Sequence, residues 1–272
     1  MNEKPIILAI GGSDNCAGAG IQADLKTCMA LGAYCVTTLS AVTAQNDYGV
    51  AAVKYVGGDI LKSQLDATLK VVRPKAVKIG MMPNTESVKI VADYIREYKL
   101  DNVIIDPVIS ATSGGSLMGS DNTLDALVKS LFPLATLITP NLPEFEILLS
   151  QDSITFGKAK DEQRDSVFNY MLEHSISNIL LKGGHSTGSV CKDVLYSLED
   201  GSTRREAEFI SKRIISTNTH GTGCTLSSAI ASYIASGYSL YESTRRAKEY
   251  IGECIARAVE SKMFPINGPL FH

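Results

Sequence analysis

The chain has 272 residues, of which 44% are hydrophobic and 20% charged, and a formal net charge of −3. That balance predicts a globular protein with a sizeable core and gives no electrostatic case for a nucleic-acid partner. No apolar run reaches the roughly 18 residues of a membrane span, and the first residues show no cleavage pattern; neither membrane nor secretion is expected, and the cytoplasm is the expected compartment.

Ile6 to Ile10 is a short apolar run ending in Gly11-Gly12 and reads as a buried strand. From Gly18, the residues Ile21, Leu25, Cys28 and Met29 recur at helical spacing until Gly32 stops them. Val36 to Ala44 is a β-branched second strand and Val53 to Tyr55 a minor one; Asp59 then caps a helix running to about Val72. Strand 76–79, helix 85–98, strand 103–105, helix 122–131 and strand 137–138 follow. A short helix from Pro143, a helix over 160–174 and a strand over 178–181 come next. Residues 190–215 alternate like a hairpin turning at Glu199-Asp200-Gly201, and helices over about 222–235 and 239–261 close the chain.

Strands alternating with long helices predict an α/β fold, a mostly parallel sheet covered on both faces. No repeat or linker interrupts the pattern, so residues 1–272 read as one domain. Ligands of such sheets bind beyond the carboxyl ends of the strands. Gln45-Asn46, Gly80-Met81, Asp106-Pro107, Pro140-Asn141 and Lys182-Gly183 all stand at such places. The six cysteines, at 16, 28, 35, 191, 224 and 254, include no Cys-x-x-Cys pair and read as reduced thiols. His220 and Cys224 are four apart, but intervening glycines and the lack of a wider Cys/His cluster speak against zinc.

Residues 218–225, Asn-Thr-His-Gly-Thr-Gly-Cys-Thr, lead directly into a helical pattern. Gly221 and Gly223 let the backbone bend so that several N–H groups point at one spot, and the helix start adds its free donors and positive dipole end. That is an anion hole suited to a phosphoryl group in transit. Asp106, Asn141 and Glu144 bring oxygen atoms to one end of the sheet, a set able to hold Mg²⁺ directly or through water, and Lys182 is placed to reach a phosphate. Gly18-Ala19-Gly20-Ile21-Gln22-Ala23 matches the dinucleotide pattern only out of context: Ser13 to Ala17 separate it from its strand, and no acidic residue ends the second strand.

Together with Gly12-Ser13-Asp14, Gly18 to Thr27, Thr43 to Asn46, Lys78 to Met81, Asp106-Pro107-Val108, Thr139 to Glu144, Leu181 to His185 and Asn267 to Leu270, this loop resembles the hydroxymethylpyrimidine/phosphomethylpyrimidine kinase family. The resemblance runs from about residue 6 to 270 and implies a ribokinase-like fold. It implies ATP-dependent phosphorylation of 4-amino-5-hydroxymethyl-2-methylpyrimidine and then of its monophosphate. Matching positions make Asp24, Gln45, Met81 and Val108 the pyrimidine pocket, where a carboxamide suits the aminopyrimidine edge. Asp106, Asn141, Glu144, Lys182 and Thr217 become the ATP phosphate apparatus, with Asp106 and Glu144 on Mg²⁺. Gly221, Gly223, Cys224 and Lys182 become the catalytic set; a thiol at a helix N-terminus is expected to have a lowered pKa, which leaves two roles open for Cys224, base for the alcohol proton or part of a backbone cradle in which positioning matters more.

Two positions depart from the family pattern: Cys16-Ala17 replaces its Ser/Gly pair, and Thr112 stands where its flap carries lysine. Pyridoxal is the alternative acceptor, although Ala111 lacks the flap cysteine of pyridoxal-phosphorylating relatives. The expected partners are the small-molecule acceptor and ATP, and the expected assembly is a homodimer.

Overall fold

Along strand β1 (Ile6–Asp14), Ile7 and Ala9 face one way, Leu8 and Ile10 the other, and all four are buried. A strand apolar on both faces needs a layer on each side. The structure, a computed structural model describing residues 3–109, 122–157, 159–184 and 188–272, supplies both layers.

The remaining strands are β2 (Tyr34–Asn46), β3 (Gly49–Tyr55), β4 (Ala76–Ile79), β5 (Val103–Ile105), β6 (Leu137–Ile138), β7 (Asn178–Leu181), β8 (Val190–Glu199) and β9 (Thr203–Lys212). Among the described residues they form one sheet in the order β3-β2-β1-β4-β5-β6-β7-β8-β9. The six central strands are parallel, while β3, β8 and β9 pair antiparallel at the two edges. On one face lie α2 (Gly58–Leu69), α3 (Thr85–Tyr98), α4 (Thr123–Ala126), α5 (Leu142–Gln151) and α6 (Lys160–Glu173). On the other lie α1 (Gly20–Ala30), α7 (Thr222–Ala235) and α8 (Leu240–Ala258). None of these helices is long and apolar enough to cross a membrane.

The structure differs most from the sequence expectations in four places. Strand β1 does not stop at Gly11-Gly12 but slips register there against β2 and runs on to Asp14, because glycines fit a bulge without breaking the ladder. In α1 the buried face is Ala23, Asp24, Thr27 and Cys28, whereas Leu25 and Met29 are exposed, Met29 to 62%. The small residues let α7 pack close, which outweighs the apolar spacing. Asp59 does not cap α2; Gly57 occupies that position, Asp59 lies in the first turn, and the helix ends at Leu69. The element predicted over 122–131 is helical to Ala126, then widens over Leu127–Leu131 before a tight turn containing Pro133, which has no N–H to donate.

Candidate active site

Because the central strands run parallel, their carboxyl ends open on one edge, and the turns leaving them meet the start of α7 around a cleft of about 650 Å³. Its lining includes Asp14, Gln45, Met81, Asp106, Val108, Asn141, Glu144, Lys182, His220, Gly221, Gly223 and Cys224.

At one end Lys182, just past β7, donates to Asp106 Oδ1 at 2.7 Å, and the Thr139 hydroxyl donates to the same oxygen at 3.1 Å. The Lys182 amide bonds the Pro140 carbonyl, which fixes the turn after β7 against the turn after β6. Asn141 caps α5: its Oδ1 accepts the Glu144 amide at 2.9 Å, and Glu144 Oε2 accepts the Asn141 amide at 2.8 Å. Glu144 thus closes a capping box and faces the cleft as well. Burial and the nearby Asp106 carboxylate push its pKa up to about 7, against the pull of Lys182 and backbone amides. Burial works against the Lys182 ammonium, yet Asp106 and Glu144 outweigh it and raise its pKa, so this lysine stays charged. Two carboxylates facing phosphate-binding donors suit Mg²⁺, which is usually held by one or two carboxylates plus phosphate oxygens. The donor set therefore fits the ion.

Gly221 begins α7 at φ 88°, and a Cβ there would overlap the Gly18 carbonyl oxygen, so this turn admits only glycine. The first-turn amides of Gly223 and Cys224 have no acceptor within the helix. A Cβ on Gly223 would lie 3.0 Å from Asp106 Oδ2 and 3.4 Å from Lys182 Nζ, which places the amides beside the charged pair.

Apart from Asp14, the other end is neutral or apolar. Buried Met81 has its backbone carbonyl held by the Ser40 hydroxyl at 2.6 Å, half-buried Val108 is turned in by its amide bond to the Asp106 carbonyl, and Gln45 is half-buried. The Cys16 thiol donates to the Gln45 carbonyl at 3.0 Å, so the departure at position 16 pins the pocket's edge.

The expectations for Asp24 and Cys224 are corrected by these positions, and Thr217 stands apart from the cleft. Asp24 does not line the cleft; it is fully buried beneath it, paired with Lys78 at 2.8 Å and accepting the Ser228 hydroxyl at 2.7 Å. Thr217 is exposed and outside the lining. The Cys224 pKa is not lowered: burial, with the Asp24 and Asp106 carboxylates, pushes it up to about 11 against Lys78 and the Gly20 amide. The flap positions Ala111 and Thr112, and His185, lie outside the described residues.

Several lining residues were not singled out from sequence. Lys78 enters the sequence reading only within the motif Lys78 to Met81, and the tertiary fold buries it on Asp24. Lys248 of α8 pairs with Asp193 of β8 at 2.6 Å, and Asp193 Oδ1 accepts the Gly183 amide at 2.9 Å. Nothing in their spacing joins residues 55 apart. His220, weighed only as a metal ligand, donates from Nε2 to Asp14 Oδ2 at 2.8 Å.

Amides converging beside a lysine and two carboxylates favour a phosphoryl group in transfer, and the class defined by this fold and site is a small-molecule phosphotransferase. Comparison with known proteins narrows it. Residues 14–269 match the family described as phosphomethylpyrimidine kinase, and the chain belongs to that family, with a ribokinase-like fold and a place in the thiamine pathway. The hydroxymethylpyrimidine/phosphomethylpyrimidine kinase of Rhizobium meliloti (strain 1021) is 39% identical over 267 residues, 98% of this chain and 96% of that protein. The crystal structure of phosphomethylpyrimidine kinase from Clostridium difficile 630 is similar at a TM-score of 0.77 and 36% identity, covering 93% of this chain and 100% of that one. An ADP complex of Bacillus subtilis pyridoxal kinase has a TM-score of 0.83 at 31% identity, covering 99% and 98%.

Proposed function

We propose that the chain transfers the γ-phosphoryl group of ATP to the hydroxymethyl oxygen of 4-amino-5-hydroxymethyl-2-methylpyrimidine, and then phosphorylates the monophosphate to the diphosphate. The observation that carries this reading is the Lys182–Asp106 pair, 2.7 Å apart and set against the Gly223 backbone, with a neutral pocket alongside. Lys182 draws negative charge from the transferring group, and the Gly223 and Cys224 amides receive its oxygens. Asp106 and Glu144 would hold Mg²⁺, which when bound would supply positive charge against the polyphosphate. Asn141, as the cap of α5, positions Glu144. Gln45, Met81 and Val108 hold the pyrimidine, the carboxamide on its polar edge and the other two on its ring.

The alcohol oxygen forms a bond to phosphorus as the bond to the leaving ADP oxygen breaks, and the alcohol proton is released. A loose transition state asks little of a base. With its pKa near 11, Cys224 is a protonated thiol at neutral pH and acts through its amide.

Pyridoxal phosphorylation is the second reading, favoured by the likeness to the B. subtilis pyridoxal kinase. The deciding experiment measures ATP consumption and product mass for the purified protein with the pyrimidine alcohol, its monophosphate, pyridoxal and pyridoxine. Two successive additions of phosphate to the pyrimidine are expected; phosphorylation of pyridoxal alone overturns the reading. The chain is further proposed to work as one domain in the cytoplasm and as a homodimer, the latter supported by exposed Met29, Tyr34 and Tyr48 and checked by sedimentation.

A further inference from the structure

Asp14 and His220 stand 206 residues apart in sequence, both line the cleft, and the transfer described above gives neither a task. Asp14 ends β1 and is 2% exposed. Its Oδ1 accepts the Cys16 amide at 2.8 Å, and its Oδ2 accepts the amides of Gly18 at 3.0 Å and Ala19 at 2.8 Å. His220 Nε2 completes the set at 2.8 Å on Oδ2. Burial alone would favour a protonated Asp14. The donors from His220, Gln45 and the backbone overcome it and hold the carboxyl well below the usual range. Asp14 is therefore an acceptor at working pH, and Nε2 is the donor whether the ring is neutral or charged.

The segment 218–221 is otherwise tied away from the sheet. Asn218 Nδ2 donates to the carbonyls of Ala258 at 2.6 Å and Ser261 at 2.9 Å, and the His220 amide bonds the Gly268 carbonyl at 3.1 Å. The His220 side chain is what carries this segment across to the end of β1. The fit there is close: a Cβ on Gly18 would overlap the His220 ring, just as one on Gly221 would overlap the Gly18 carbonyl. The place of the ring thus fixes where Gly221 turns and where the amides after it point.

We propose that the Asp14–His220 pair is the positioning clamp of the anion hole, locking segment 218–221 to the end of β1 so that the Gly223 and Cys224 amides stay aimed at the phosphoryl group beside Lys182. This rests on the kinase reading above and deepens it. The pair touches neither the transferred group nor the metal in this scheme. It acts through backbone donors, whose preorganisation is the source of their effect.

The test compares His220→Ala, His220→Gln and Gly18→Ala with the parent in steady-state kinetics, with thermal melting recorded for each. For His220→Ala, kcat is expected to fall about 10²-fold while KM for the pyrimidine stays within about twofold, as for loss of a contact that matters only in the transition state. Glutamine can place an N–H near Asp14 Oδ2, so His220→Gln is expected to recover at least about tenfold of that loss. Gly18→Ala leaves the histidine in place but displaces its ring, and is expected to reproduce the fall in kcat. Three results overturn the clamp: His220→Ala with kcat near the parent's, a change confined to KM, or glutamine no better than alanine. If the parent phosphorylates pyridoxal alone, the substrate reading fails while the same kcat comparisons on pyridoxal still decide the clamp.

Discussion

At the phosphate end of the cleft, two carboxylates and a lysine crowd against helix-start amides, with contacts as short as 2.7 Å between charged atoms. At the acceptor end, a carboxamide, a thioether and a valine line the wall, and the nearest carboxylate, Asp14, is saturated by its own donors. The first end is made from the turns after β5, β6 and β7 plus α7; the second from the ends of β1 and β2, the turn after β4 and, through Val108, the far side of the turn after β5. One end is built to answer a change of charge during reaction, the other to recognise a molecule that keeps its charge. Substitutions at the first should therefore act on turnover, and those at the second on affinity.

The largest separation is expected from Gly223→Ala. The added methyl group lies 3.0 Å from Asp106 Oδ2 and 3.4 Å from Lys182 Nζ, so it intrudes on the charged pair and on the approach of the phosphoryl group. Residue 223 is within α7, so alanine is compatible with its backbone and the fold should survive. A fall in kcat of about 10²–10³-fold, the scale of losing one oxyanion donor, with an unchanged circular dichroism spectrum is the expected result. A loss of pyrimidine affinity with normal turnover would contradict the division of the cleft.

Glu144→Gln comes next, with turnover falling about 10–10²-fold and pyrimidine affinity little changed, the order of effect of one charged ligand. Unchanged turnover at saturating magnesium would remove Glu144 from the metal site. The same residue gives a pH signature. Because its folded pKa lies near 7 instead of the ordinary 4.5, the folded chain keeps this proton longer than the unfolded one. The ligand-free protein should therefore lose stability as pH rises from about 4.5 to about 7, by at most about 3 kcal/mol, and Glu144→Gln should flatten that slope. Denaturant unfolding at several pH values measures both. Mg²⁺ must displace the proton, so its stabilising effect should grow between about pH 6 and pH 8.

At the acceptor end, Gln45→Leu leaves the pyrimidine's polar edge unpaired and should weaken binding by about 1–3 kcal/mol in calorimetry while kcat changes little. Equal affinity for variant and parent would show that Gln45 only supports Asp14.

The same division explains what could be read from sequence. Strand-end residues of the phosphate half are legible because each stands in a local signature: Asp106 before a proline, Glu144 three after the cap Asn141, Lys182 after an apolar strand. Strands 76–79, 103–105, 137–138 and 178–181 appear where their apolar runs place them, since a strand buried on both faces is written mostly in hydrophobic residues, Lys78 of β4 being the exception that its pairing with Asp24 allows. Asp24 enters the pocket expectation through matching family positions alone, and its own surroundings decide otherwise: the packing of α7 turns it down onto Lys78. The Asp14–His220 and Asp193–Lys248 pairs join distant segments and leave no local trace.

Cys224 is where local and tertiary signals oppose each other most directly, and Cys224→Ser is the smallest expected effect. The helix start argues for a thiolate, but the half-buried sulfur is partly desolvated and stands near Asp24 and Asp106, so the thiol pKa lies near 11. At neutral pH only about one molecule in 10⁴ would carry the thiolate. A base so rarely available contributes little to a transition state that asks little of one. Serine keeps the backbone amide and nearly the same volume, so kcat should stay within about fivefold of the parent, far from the 10²–10⁴ that general-base loss costs. The pH–rate profile of the variant should also keep the parent's shape up to about pH 9, since the Cys224 thiol does not titrate below that. A drop of a hundredfold or more, with the loss of an alkaline limb, would show that the thiol takes the proton and that the backbone cradle is secondary.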